Sequence, residues 1–207
     1  MNTIELFSGT KSFSKVANKL NYNTLTIDNN INLSPDLCED VLNLNIYKKK
    51  YDMLWASPPC TAFSVAAIGR NWNLDRTPKS DNAILGLKLL DKTISIIKDL
   101  EPHKWYIENP RGMMRKIIDN IFKKYNLINY IRHTVTYCQY GDTRMKPTDI
   151  WTNDFDWKPR PACKNGMPCH ISAPRGSRTG TQGLKNATER GIIPEALFYE
   201  IFKCDKK

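Results

Sequence analysis

Apolar residues recur along this chain in two patterns: short runs, and positions spaced at three and four. Short runs bounded by turn residues predict buried strands, and the helical period predicts helices with one buried face. Strands are expected at 3-TIELF-7, 24-TLTID-28, 41-VLNL-44, 51-YDMLWA-56 and 104-KWYIEN-109. Helical spacing links Phe13, Val16, Ala17 and Leu20. It returns at Leu87, Leu90, Ile94 and Ile97 ahead of Pro102, and at Met113, Met114, Ile117, Ile118 and Ile121. Two late strands are expected at 130-YIRHTVTYCQY-140 and 148-TDIWT-152, with a polar turn between them. Such alternation predicts a doubly wound α/β sheet, mostly parallel, with an antiparallel edge hairpin formed by the late pair.

The pattern changes after Trp151. Residues 153–186 are rich in Pro, Gly, Arg and Thr and have little periodicity. The stretch 194-PEALFYEIF-202 has Pro where a helix starts and apolar residues spaced for one. The expected organisation is a main domain over 1–153, a short loop-rich basic segment over 154–185, and a helix within 186–207 that packs back on the main domain.

Composition narrows the class. The chain has 207 residues, 41% hydrophobic and 25% charged, ordinary values for a globular protein with a substantial core. No apolar run approaches the roughly 18 residues of a membrane span. The start, MNTIELFSG, has no basic stretch followed by an apolar one, so secretion is not expected. The six cysteines are then expected as reduced thiols or metal ligands. A net charge of +10 favours a polyanionic partner such as nucleic acid, although much of the excess is scattered lysine.

Ligands of doubly wound sheets bind at the carboxyl ends of the strands. The first strand ends in 6-LFSG-9, where Gly9 permits a tight turn and close approach to a ligand. The second ends at Asp28, a carboxylate that can accept from ribose hydroxyls or simply cap a turn. Asp40 lies near a third strand end and is equally ambiguous. In 55-WASPPCTAFS-64, Pro58 and Pro59 stop a strand and fix the chain just before Cys60. The fifth run ends at Glu108, and a carboxyl beside an apolar wall can serve as a hydrogen-bond donor. Cys60 alone is more often a small buried hydrophobe, and Glu108 alone a helix cap. Together they place a thiol and a carboxyl on neighbouring strand ends beside a nucleoside-type cleft.

These residues resemble the DNA cytosine-5 methyltransferase family, in a compact phage-like form. The resemblance lies in 6-LFSG-9, in 59-PCTAFS-64, in 108-EN-109 and in 140-YGDTRMKPTDIW-151, and more loosely in 186-NATERGIIPEAL-197. It covers roughly residues 3–152. It implies a Rossmann-like S-adenosylmethionine-dependent methyltransferase fold and methyl transfer to C5 of cytosine through a covalent bond from Cys60 to C6. Glu108 would then contact the ring, beside Asn109. Phe7, Ser8, Gly9, Asp28, Asp40 and Pro58 would line the S-adenosylmethionine site. Ser64, Arg70, Arg76, Lys146, Arg175 and Arg178 would meet DNA, either a duplex with a flipped cytosine or a single strand. The stretch 64–80 sits where the family has a mobile catalytic loop. A cytoplasmic monomer in a bacterial or phage-infected cell is the expected setting.

Two departures qualify the resemblance. The family's Arg-x-Arg pair is replaced by Lys146 and Thr148, leaving nearby Arg144 as the expected substitute at the cytosine ring. Residues 154–185 are too few for a separate folded reader of base edges. The same chemistry on single-stranded DNA, RNA or a free nucleotide therefore stays open, as does a binding relative without catalysis. Within 163-CKNGMPCH-170, Cys163, Cys169 and His170 are weak candidates for zinc, with Cys138 or Cys204 as a fourth ligand. Adjacent Cys and His are awkward for one tetrahedral site, so free thiols are the expectation.

Overall fold

A computed structural model describes residues 1–46, 49–172, 184 and 186–204. Among these, seven strands form one sheet: β1 (Asn2–Leu6), β2 (Asn23–Asp28), β3 (Leu37–Cys38), β4 (Met53–Ala56), β5 (Lys104–Pro110), β6 (Ile131–Thr136) and β7 (Pro147–Thr152). The order across the sheet is β3-β2-β1-β4-β5-β7-β6. β1 to β5 pair in parallel, and β7 runs antiparallel between β5 and β6. This is the expected α/β sheet with a late antiparallel pair. β4 and β5 bury all or nearly all of their residues, as strands covered on both faces do.

Two elements differ from expectation. Residues 41–43 form a 3-10 turn, and the third strand is the pair at 37–38. The cause is local: the Asp40 side chain accepts from Leu42 N at 2.9 Å, a cap that tightens the chain instead of extending it. The run expected as a strand over 130–140 leaves the sheet at Thr136. Tyr137–Tyr140 form a 3-10 turn closed by Gly141 at φ 90°. That early exit places Tyr137 under the end of β5.

Helices cover both faces. α1 (Ser12–Lys19) follows β1, α2 (Ile68–Asn71) is one turn after β4, and α3 (Asp81–Leu100) and α4 (Met114–Lys124) flank β5. Ser80 caps α3 by accepting from Ala83 N, and Glu101 in a left-handed conformation ends it before Pro102. α5 (Ala187–Gly191) and α6 (Glu195–Cys204) close the described chain. One core lies under α3 and α4 and includes Leu54, Phe63, Leu90, Ile107 and Ile118. The other lies under α1 and α6 and is aromatic: Phe13 stacks on Trp55, and Phe198 meets both edge-on. No helix among the described residues is long and apolar enough to cross a membrane.

Candidate active site

Parallel pairing sets Ala56 opposite Ile107, so the chain beyond β4 and the end of β5 emerge at one sheet edge. Cys60 lies four residues past β4, and Glu108 is the next residue of β5. Two contacts shape the Pro-Pro-Cys turn. Asn109 Nδ2 donates to Pro58 O at 2.8 Å, tying the turn to β5. Phe63 N and Ser64 N both donate to Cys60 O, at 3.1 and 2.9 Å, curling the chain around the thiol. Cys60 is accessible at the mouth of the site. Protein still surrounds its sulfur closely enough that burial pushes the thiol pKa up; Lys146 and Arg190 oppose this, and Glu108 adds to it.

Glu108 is 5% exposed and accepts from Tyr137 Oη at 2.9 Å on its Oε1. Burial first, then the Glu108 charge, raise the Tyr137 pKa well above its ordinary value, so the phenol keeps its proton and acts as donor. Thr148, fully buried on β7, donates its hydroxyl to Lys146 O at 3.3 Å. One carboxylate oxygen is thus anchored within the protein and the other is left for a ligand.

The chain after Cys60 is not an aperiodic loop. It contains a 3-10 turn at Val65–Ala67, then α2, and a bridge between Trp72 and Pro78. Trp72 Nε1 donates to Ala62 O at 2.7 Å, and Asn71 Nδ2 donates to Thr61 O and Ala62 O. The Trp72 ring stacks on Phe63. Ser64 bridges to Gly112, and Met113 N donates to Phe63 O at 2.7 Å. A Cβ on Gly112 would lie 2.1 Å from Phe63 O, so only glycine admits this approach. The loops after Cys60 and after Glu108 are thereby locked together.

A second set of residues gathers at the ends of β1 and β2. Phe7 and Gly9 have φ of 56° and 47°, which turns the chain sharply out of β1. Asp28 accepts from Gly9 N at 2.8 Å and from Asn30 N at 2.9 Å, and its carboxylate has further lone pairs. Buried Ser8 Oγ has no partner among the described residues. Glu5 accepts from Phe13 N, Ser14 N and Ser14 Oγ at the start of α1, and burial pushes its carboxyl up to about 7. The unpartnered hydroxyl, the left-handed turn and the carboxylate at the strand end fit a nucleoside group of the S-adenosylmethionine type.

Arg144 does not substitute for the missing arginine at the ring. Its Nε and Nη2 bond Asp142, and its remaining donors go to the carbonyls of Glu189, Arg190 and Ile192. All five N–H groups of the guanidinium are used, and the residue is 4% exposed. It clamps the α5 segment to the turn after Tyr140. Lys146, expected on DNA, instead has its Nζ 4.9 Å from the Tyr137 ring centre and donates to Arg190 O at 3.0 Å. Arg70 and Arg76 are exposed on the segment that follows Cys60. Arg175 and Arg178 lie outside the described residues.

Tyr137 escaped the sequence reading because it sat inside an apparent strand. Trp72 and Asn71 left only a weak signal, a polar-aromatic pair in a stretch without period. Cys163, Cys169 and His170 come together with Cys138, their four ligand atoms within 4.8 Å of one another. The side chain of Cys204 lies outside the described residues.

Residues 1–139 match the model of the C-5 cytosine-specific DNA methylase family. A frog virus 3 protein named "Probable DNA (cytosine-5)-methyltransferase" is 30% identical over 97% of this chain and 98% of its own length. Among solved structures, a "putative DNA modification methyltransferase" encoded within an E. coli prophage is 18% identical with a TM-score of 0.54, covering 84% of this chain. The Entamoeba histolytica methyltransferase EhMeth is 14% identical with a TM-score of 0.52, covering 79%. The chain spans 57% of the length of each of these two solved chains.

Proposed function

The chain belongs to the C-5 cytosine-specific DNA methylase family, and from that premise we propose that it methylates C5 of cytosine in DNA through a covalent bond from Cys60 to C6. The observation that carries this reading is the meeting of Cys60 with Glu108, its Oε1 held by Tyr137, at adjacent strand ends. The Cys60 thiolate adds to C6, and the electrons of the 5,6 double bond move to C5. The free oxygen of Glu108 would accept from the exocyclic amine and share a proton with N3, which offsets the negative charge that builds on the ring. Lys146, beside the thiol, favours its ionised form. S-adenosylmethionine, when bound, supplies the methyl group that C5 takes up. Loss of the C5 proton and departure of Cys60 then restore the double bond.

Phe7, Ser8, Gly9, Asp28, Asp40 and Pro58 would hold the S-adenosylmethionine. Asn109 acts at one remove, holding the Pro58 carbonyl so that Cys60 keeps its direction. Arg70 and Arg76, with Ser64 at the base of their segment, would face DNA phosphates, joined by Arg175 and Arg178. The test is covalent capture of DNA containing 5-fluorocytosine in the presence of S-adenosylmethionine. Wild type should give a complex that survives denaturation, and Cys60→Ser should not. Absence of a complex with wild type, or capture by Cys60→Ser, overturns the reading.

A second reading keeps the chemistry and moves it to single-stranded DNA. It is favoured by residues 153–172, which carry neither helix nor strand with which to read a duplex. Mass spectrometry of methylated bases after incubation with duplex, single-stranded and nucleotide substrates separates the two.

A further inference from the structure

We propose that Cys138, Cys163, Cys169 and His170 form a structural zinc site that fastens residues 158–172 to the turn carrying Tyr137. Three sulfurs and one imidazole nitrogen converge there within 4.8 Å. Cys163 Sγ lies 3.2 Å from Cys169 Sγ, and each sulfur lies 3.6 Å from His170 Nδ1. With Zn–S near 2.3 Å and Zn–N near 2.05 Å, tetrahedral geometry requires sulfur–nitrogen edges of about 3.6 Å and sulfur–sulfur edges of about 3.8 Å. The two sulfur–nitrogen edges match, and the sulfur pair has only to open slightly around an ion. Thiolate-rich ligands with one imidazole select zinc, and four protein ligands close the site to substrate.

The objection from adjacent Cys169 and His170 dissolves in the geometry. The chain turns at Gly166, φ 87°, with Met167 N donating to Lys164 O at 3.4 Å. That turn returns Cys169 to Cys163, and the imidazole folds back so that Nδ1 faces both sulfurs. The buried Nε2 of His170 has no partner among the described residues. Ligation through Nδ1 is the arrangement that leaves the proton on that outer nitrogen. Gln139 Nε2 reaches Cys169 Sγ at 3.5 Å, the kind of N–H contact that supports a ligating thiolate.

The segment also needs a staple. Residues 158–172 include no buried side chain, so no core holds them. Arg160 anchors the start of the segment to Tyr140, Gln139 O and Glu200. Beyond it, the ties lie at the proposed site, where Cys163 N donates to Thr136 Oγ1 at 2.8 Å and Ile171 N donates to Thr143 O at 2.9 Å. Cys138 is the one buried ligand and adjoins Tyr137, the residue that bonds Glu108. A metal here would brace the active-site carboxylate without touching substrate.

The test reads metal directly and does not depend on methyl transfer. Full-length protein purified from zinc-supplemented cells should carry stoichiometric zinc by plasma mass spectrometry. Cys163→Ser and Cys169→Ser should fall to background, whereas Cys38→Ser should retain the metal. If the site variants fail to fold, wild type alone decides. A mercurial reagent should release its zinc to a colorimetric chelator, and cobalt added to the reduced, metal-stripped protein should give the visible absorption of a tetrahedral thiolate site. Folded wild type without stoichiometric metal and without cobalt uptake overturns the proposal. So does a Cys163–Cys169 disulfide found by peptide mapping of the purified protein.

Discussion

Gly112→Ala tests whether the lock between the two active-site loops matters for catalysis. The added methyl would lie 2.1 Å from Phe63 O. Carbon and carbonyl oxygen rarely come closer than about 3.3 Å, so the two loops must part by about 1 Å. Phe63 O also accepts from Met113 N, and that bond stretches with the displacement. Overpacking of this kind costs about 1–3 kcal/mol of stability. The larger effect falls on alignment. Ser64, four residues past Cys60, is bridged to Gly112, four residues past Glu108, so parting these loops shifts the thiol relative to the carboxyl. A misplacement of about 1 Å can slow a reaction by about 100-fold, equivalent to about 2.7 kcal/mol in the barrier. Single-turnover capture of 5-fluorocytosine DNA with enzyme in excess reads the step, and a thermal melt reads folding. Gly69→Ala, where a methyl meets open space, is the matched control and should capture at the wild-type rate. A Gly112→Ala protein that melts and captures like wild type would refute the reasoning.

Three further outcomes are expected. Tyr137→Phe keeps the ring and removes the hydrogen bond to Glu108; leaving that buried carboxylate short of a donor costs about 1–3 kcal/mol in urea melts and slows capture. Arg144→Lys keeps the charge but not the fork that serves Asp142 and three carbonyls. Stability should fall by about 2 kcal/mol while capture per folded molecule is unchanged, which a ring-binding role would not allow. Burial raises the Cys60 pKa from 9.0, so the thiolate fraction at neutral pH is small and grows with pH. Capture should therefore accelerate about tenfold per pH unit from neutrality to pH 9, and a plateau near pH 7 would contradict the assignment of the sulfur.

The parts legible in the sequence were those with local signatures. Short apolar-rich runs marked β1, β2, β4 and β5, and the ends of β4 and β5 pointed to Cys60 and Glu108, because parallel neighbours deliver their carboxyl ends to one edge. What was not legible depended on partners far along the chain. Arg144 looked like a free cation beside a motif, yet its partners include backbone carbonyls 45 to 48 residues away, which no side-chain pattern reveals. Tyr137 looked like one more strand residue, since nothing within 130–140 shows that the strand stops at Thr136. The cysteine cluster was discounted on spacing, and spacing says little when a left-handed glycine folds the chain back on itself.

The contact between α1 and α6 bears on the order in which the chain can fold. Ile193 N donates to Ser12 Oγ across 181 residues of sequence, and Phe198 and Phe202 pack on Phe13. During synthesis the first half can pair β1, β2, β4 and β5, but the face of Phe13 and Trp55 that α6 covers stays open until Phe198 and Phe202 leave the ribosome. Long-range closure of this kind slows folding and leaves an aromatic face open to chaperones or to other nascent chains in the meantime. Expression at low temperature, or with a chaperone that shields aromatic surface, should therefore decide how much of this protein survives its own synthesis.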